Sequence, residues 1–217
     1  MIERYLHALS LADPGNEDPA ATRERLREQF PKGATRRMTQ LGLLVGASLN
    51  ELQPRAEDAI VYATAYGESR TLEAYLDSFP SASPTLFQTS IHPSAVQQAM
   101  ITRQSAVGEF FPLTGRGQLV ATALQTAVLA NAPRVLVCGG EERGTWLLEN
   151  GIASARAFAF ALALSAEKTG ALARLTLTQG AGAAGELSLP DFFDALVARR
   201  ALEQSVGCGL RLTLTWT

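Results

Sequence analysis

Sulfur and imidazole are scarce in this chain. Its 217 residues include two cysteines and two histidines. Cys138 and Cys208 lie far apart, and no paired C-x-x-C or H-E-x-x-H occurs, so neither a zinc site nor a disulfide framework is expected. No Walker motif or G-x-G-x-x-G is present, and no nucleotide cofactor is implied. Charge of one sign is also missing. Nineteen Lys and Arg stand against 21 Asp and Glu, a formal net charge of −2. That balance excludes the basic excess that nucleic-acid or anionic-membrane binding would need. Long apolar runs are absent. The longest, "AFAFALALS", is too short to cross a bilayer as a helix. The start, "MIERYLHALSLADPG", lacks a basic segment followed by an apolar one, so no secretory leader is expected. The expectation is a soluble cytoplasmic chain.

The chain does have enough apolar material for a sizeable core. Hydrophobic residues make up 47% and charged residues 18%, an ordinary globular balance. No linker, internal repeat or low-complexity tract is evident, so a single domain over 1–217 is expected. The arginines of "RERLREQF" and "KGATRR" read as solvated helix faces.

Strand and helix signals alternate first, and strands cluster later. "RYLHALSLADPG" reads as a first strand. "NEDPAATRERLREQF" reads as a helix capped by Asp18 with Pro19 in its first turn. "ATRRMTQLGLLVGASLNEL" repeats apolar residues at the helical period, and "AIVYATAYG" is a buried strand. "SRTLEAYLDSF" follows as a helix with Ser69 as N-cap. "SASPTLFQTSIHPSAVQQAMITRQ" starts as loop and turns helical near Pro93. "EFFPL" is short and extended, and its proline points to an edge. "GQLVATALQTAVLANA" is a helix with a small-residue face at Leu119, Ala123, Thr126 and Ala127. "RVLVCGG", "ASARAFAFALALSAE" and "ALARLTLTQG" are strands, the second buried on both sides. "GAGAAGELS" is a surface loop, "LPDFFDALVARRALEQ" a helix and "GLRLTLTWT" a last strand. The class is α/β with a mixed sheet.

Few residues carry candidate chemistry. His92, with Ser90 before it and Pro93 after it, stands at a loop-to-helix junction; it reads as a base or acyl-binding group, or as a structural histidine. Cys138 ends a strand and is either a thiolate nucleophile or a small buried hydrophobe. Cys208 reads as a turn residue. Glu141 and Glu142 are either an acid–base pair or a solvated loop pair. Gly115, Arg116 and Gly117 precede a helix, as an anion-holding turn or a turn that needs glycine for positive φ.

The segments "RRMTQLGLLVGASLNEL", "IVYATAYGESRTLEAYLDSF", "SPTLFQTSIHPSAVQQAMITRQ" and "FFPLTGRGQLVATALQTAVLANAPRVLVCGGEE" occur in an order that resembles the N-terminal half of β-ketoacyl synthases. They are most similar to the short ketosynthase-like family found with bacterial aryl-polyene and xanthomonadin-type pigment genes. The resemblance spans roughly residues 36–165. It implies a thiolase-like half: a five-stranded mixed sheet, mostly parallel with the fifth strand reversed, flanked by helices, with extra C-terminal strands. "EFFPL" would be the fifth strand and would pair across a two-fold axis, giving a homodimer through the 109–113 strand.

A ketosynthase holds its cysteine at the turn leading into the "GQLVATAL" helix. Here that place falls at or beside Arg116 or Gly117. The histidine pair and lysine of the C-terminal half have no counterpart. The resemblance therefore implies an accessory protein of polyketide or fatty-acid-like assembly, similar to chain-length factors. It would bind an acyl chain, an acyl carrier protein or a full-length ketosynthase. Arg116 would meet the carrier protein, with Ser90, His92, Phe110, Gly115 and Gly117 as further ligand-binding candidates. The alternative is a small acyltransferase or thioesterase-like enzyme using His92 with Cys138 or Glu142.

Overall fold

The structure is a computed structural model describing residues 2–104, 106–180 and 185–217. Its order begins with β1 (Ile2–Gly15), α1 (Pro19–Leu26), α2 (Gln40–Leu52), β2 (Ala59–Thr64) and α3 (Ser69–Asp77). It continues with α4 (Pro84–Ser90), α5 (Ser94–Arg103), β3 (Glu109–Thr114), α6 (Leu119–Leu129) and β4 (Arg134–Glu141). The last third holds α7 (Trp146–Glu149), β5 (Ala157–Ser165), β6 (Ala173–Gln179), α8 (Leu189–Val197), β7 (Leu202–Gly207) and β8 (Leu210–Trp216). Short 3₁₀ turns occupy Arg27–Gln29 and Ala34–Arg37. No helix among the described residues is long and apolar enough to cross a membrane.

All eight strands join one sheet, in the order β3-β2-β4-β5-β1-β6-β8-β7. The expected five strands are its first five positions. β3, β2 and β4 run parallel, β5 is antiparallel to β4, and β1 is antiparallel to β5. Four of these five therefore share one direction and β5 is reversed. The expectation of five strands is corrected to eight, because β6, β8 and β7 add three antiparallel-paired strands beyond β1, with β8 between β6 and β7. A second correction concerns "EFFPL". It is the third strand, parallel to β2, and lies at the sheet edge. The reversed member is "AFAFALALS", which takes both of its ladders from β4 and β1.

The alternation within β5 builds the two faces of the sheet. Ala157, Ala159, Ala161 and Ala163 face α2, whose Leu41, Leu43, Leu44 and Leu49 fill that side. Phe158, Phe160, Leu162 and Leu164 face the opposite way, toward α6 and α8. There α6 offers Ala121, Ala123 and Ala127. Small thus meets large on both faces, the arrangement that fills a core without voids. Phe158 and Phe160 are fully buried, each worth about 1.5–3 kcal/mol of apolar burial. They meet Phe193 and Phe192 of α8 at centroid distances of 4.6 and 5.7 Å.

Local chemistry explains where elements begin and end. Asp18 accepts from Ala20 N–H at the start of α1, with Pro19 in the first turn, as expected. The stretch before Pro93, expected as loop, folds as α4 because Ser83 caps it and Pro84 starts it. Ser69 is the first helical residue of α3 rather than its cap. Helix α8 stops at Val197, and Arg199 adopts a left-handed φ of 45°. "ALEQ", expected as helix, consequently turns into β7. The loop read over 180–188 falls partly on 181–184, outside the described residues.

Candidate functional site

The parallel strands β2, β3 and β4 release their loops at the same end of the sheet, where ligands of open α/β folds gather. The β3–α6 loop makes an elbow there. Gly115 holds φ 149°, and Gln118, just before α6, is left-handed at φ 58° and ψ 18°. A non-glycine residue in that conformation is uncommon. The sequence placed the elbow residue at or beside Arg116 or Gly117, and the left-handed residue, Gln118, is the one beside Gly117. Lacking a left-handed glycine, it gave no signal in the sequence.

The anion expected at this turn is supplied by the chain itself. Gln118 N–H donates to a Glu186 carboxylate oxygen, so Glu186 complements the exposed N–H groups at the start of α6. The Gln118 side chain meets the β7–β8 turn. Cys208 Sγ lies 2.7 Å from Gln118 Oε1, and Cys208 is exposed in that turn. Arg116 faces away from the helix. Its guanidinium stands over the Tyr66 ring at 5.8 Å and donates to Gly151 O at 3.2 Å. Gly117 faces open space.

Beneath the elbow the core is closed. The gap between α6, α8 and the sheet, lined by Ala63, Leu124, Phe160 and Phe192 among others, is about 10 Å³. That is about the room a single water needs, and far too little for an acyl chain.

The acidic candidates are neither a solvated loop pair nor paired with each other. Glu141 and Glu142 are both 1% exposed. Glu141 accepts from Thr64 Oγ1 at 3.1 Å, Ala65 N–H at 2.5 Å and Tyr66 N–H at 3.3 Å. Glu142 accepts from Leu41 N–H at the start of α2 and Thr71 N–H at the start of α3. Two further buried glutamates, missed in the sequence, do similar work. Glu68 accepts from Ala95 N–H at the start of α5, and Glu73 from Thr145 and Leu147 N–H at α7. Glu142, Glu68 and Glu73 satisfy orphan helix-start donors, while Glu141 holds the loop between β2 and α3. Desolvation raises Glu68 to about 7, Glu141 to about 8 and Glu142 to about 7, against the lowering effect of those N–H groups.

His92 does not reach the expected partners. Its ring stacks on Tyr62 at 5.1 Å, and its Nδ1 is 3.8 Å from Glu68 Oε2. Burial lowers its pKa. Cys138 is fully buried opposite Tyr62 across the β2–β4 ladder, and desolvation pushes its thiol well up, away from a reactive thiolate. Ser90 Oγ donates to Phe87 O within its own helix. Phe110 packs into the α2 side of the core. Ser90, His92 and Phe110 share none of the cavities described here. No cluster among the described residues has the ligands for a metal.

A groove of about 840 Å³ opens between the 3₁₀ turn Ala34–Arg37 and helices α4 and α5. Lys32, Arg36 and Arg37 line it, with Thr and Gln side chains opposite and no carboxylate in its walls. The cations of "KGATRR" are exposed on the 3₁₀ turn, as read, and also form the cationic rim of this groove. The signal available was three cations with no acid among them.

No protein-family model and no curated protein matches the sequence. Solved structures do match. A chain of the complex of the ketosynthase ApeO with its chain length factor ApeC, from Xenorhabdus doucetiae, is 20% identical with a TM-score of 0.69. That match covers 99% of this chain and 100% of the other. The fold is that of the ketosynthases. The ishigamide ketosynthase/chain length factor is 14% identical, TM-score 0.59, over 92% of this chain and 72% of the other. A chain of AntDE:AntF, a type II polyketide acyl-carrier protein with its ketosynthase, is 11% identical, TM-score 0.51, over 82% and 69%. In ketosynthase terms, β1 to β5 are the thiolase-type layer, mostly parallel with one reversed strand. β6, β8 and β7 extend it.

Proposed function

We propose that this chain is a ketosynthase-like accessory subunit in polyketide- or fatty-acid-like assembly, of the aryl-polyene kind, that pairs with a full-length ketosynthase and receives an acyl carrier protein. One observation carries the reading. The elbow that would present a nucleophile presents the neutral amide of Gln118, above a core with room for no acyl chain. An acyl pocket then has to form against a partner. Three neighbours in fold come from ketosynthase complexes with a chain length factor or carrier protein, which supports that partnership by analogy of fold.

The open edge at β3 favours a non-identical partner. Gly115 N–H donates to Thr64 O, and Thr64 stands opposite Thr114. In that register the backbone groups of the odd residues of β3 turn toward β2, and those of Phe110, Pro112 and Thr114 face the open edge. Pro112 has no N–H to give. Two copies pairing about a dyad lose two ladder bonds to their prolines; a different strand loses one. Exposed Leu72 and Leu76 on α3, Phe79 in the α3–α4 connection and Phe87 on α4 add apolar area toward the roughly 1,200–2,000 Å² of a stable interface. The cationic groove suits a carrier protein's acidic face or its phosphopantetheine phosphate. His92 with Cys138 or Glu142, as an acyltransferase, gains no supporting contact.

Co-purification with a full-length ketosynthase of the same pathway tests the pairing. A 1:1 complex by light scattering is expected, and Thr114→Pro, which removes another edge N–H, should abolish it. A stable complex that is indifferent to Thr114→Pro, or no complex at all, refutes pairing through β3.

A further inference from the structure

His92 forms the corner between α4 and α5, enclosed by Tyr62 of β2 and Glu68 at the start of α3. The Tyr62 and His92 rings lie 19° from parallel. These three side chains carry four polar atoms that are buried and without a hydrogen-bond partner: the Tyr62 hydroxyl, Glu68 Oε2 and both His92 nitrogens, with Nδ1 3.8 Å from Oε2. The other Glu68 oxygen is occupied by Ala95 N–H at 3.0 Å and Ser94 Oγ at 3.3 Å. Buried polar atoms are nearly always paired. One proton between Oε2 and Nδ1 pairs two of the four at once, after an approach of about 1 Å from the present separation to hydrogen-bond distance.

We propose that Glu68 and His92 jointly take up one proton from water near neutral pH, and that this shared proton latches the α4–α5 corner onto α3 and β2. Either placement of the proton closes the contact. A protonated carboxyl donates to the imidazole. An imidazolium instead faces the Glu68 carboxylate and the Tyr62 ring, both favourable to a cation. Burial raises Glu68 and lowers His92, so the two groups compete for the same proton around neutrality. The groups facing the pair do not displace it. Tyr62 lies on β2 and is held neutral by burial, and Cys138 on β4 likewise. Glu141 and Glu142 approach from the end of β4; Glu142 adds negative charge that favours protonation of Glu68, and Arg70 on α3 acts on Glu142. The corner matters because α4 and α5 form one wall of the cationic groove.

Hydrogen exchange of the whole chain, corrected for intrinsic rates, tests the latch at about pH 6 and about pH 8. Protection across 91–97 is expected to be roughly tenfold greater at the lower pH. Glu68→Gln supplies a fixed N–H donor toward Nδ1 and should keep the slow exchange at both pH values. A wild-type difference below about twofold, or a Glu68→Gln variant that retains the wild-type pH dependence, overturns the proposal. If Glu68→Gln does not fold, His92→Phe keeps a ring on Tyr62 and takes no proton. Loss of the pH difference supports the latch, and its persistence overturns it.

Discussion

Reversing two charges in the groove gives a quantitative test of carrier-protein docking. Arg36 and Arg37 are exposed on the turn before α2 and line the groove with Lys32. An exposed ion pair contributes about 0.2–1 kcal/mol, and about 0.5 is a working middle value. Arg36→Glu with Arg37→Glu removes two attractions to an acidic partner and adds two repulsions of similar size. Four increments come to about 2 kcal/mol, or roughly a 30-fold weaker Kd. Neither side chain holds the core, so the fold should stand. Fluorescence anisotropy with labelled holo-acyl carrier protein measures the change. Wild-type affinity should also fall as salt rises and the screening length shrinks from about 30 Å at 0.01 M to about 3 Å at 1 M, while the variant responds less. A Kd shift under about threefold, with Arg116→Glu giving a larger one, would show that docking occurs at the elbow and not in the groove.

Further outcomes follow from buried groups. Glu141 at about 8 and Glu142 at about 7 lie above the 4.5 of an unperturbed glutamate. Between those values the folded chain holds more protons than the unfolded one, so stability falls as pH rises. The urea midpoint should decline from about pH 5 to about pH 8, and Glu142→Gln should flatten the decline. Asp58 is fully buried, with Arg134 Nη2 2.6 Å and Nε 2.9 Å from its carboxylate. Asp58→Ala strands that guanidinium and should cost about 3 kcal/mol in urea unfolding. A Cβ at Gly140 would overlap Phe158 O and stand 2.9 Å from Ala159 Cα. Gly140→Ala should therefore unfold at markedly lower urea, a cost on the order of 3 kcal/mol. Thiol titration should find one reactive cysteine in the native protein, Cys208, and two in denaturant. Rapid reaction of both in the native state would contradict the burial of Cys138.

Much of the fold could be read from sequence period. The alternation of "AFAFALALS" and the small-residue face of "GQLVATALQTA" are local patterns with one good solution, and both took it. The resemblance to ketosynthases was legible in segment order, although sequence comparison finds no family match. Strand order was less accessible. "EFFPL" and "AFAFALALS" both read as strands, but which of them runs backwards is set by neighbours distant in the chain. β7 was hidden because "ALEQ" carries on the helical pattern of α8 in sequence, although the left-handed Arg199 has already ended the helix. Site geometry was the least legible. Glu141 and Glu142 are adjacent in sequence, yet Glu141 holds the loop after β2 while Glu142 serves α2 and α3, and Gln118 meets Cys208 only through the closing hairpin. Left-handed glutamine and buried glutamate have no signature a single sequence displays.

A sheet with two free margins invites endless stacking unless one of them refuses company. Here the margins are unlike. β3 ends one side with Phe110 and Phe111, while β7 ends the other with Glu203 and Gln204 turned to solvent. A strand added at β3 meets oily side chains, but one approaching β7 would have to strip water from an acid already engaged with Arg211. Of the two margins, β7 is therefore the one closed to a further strand, and any growth of the sheet is confined to β3.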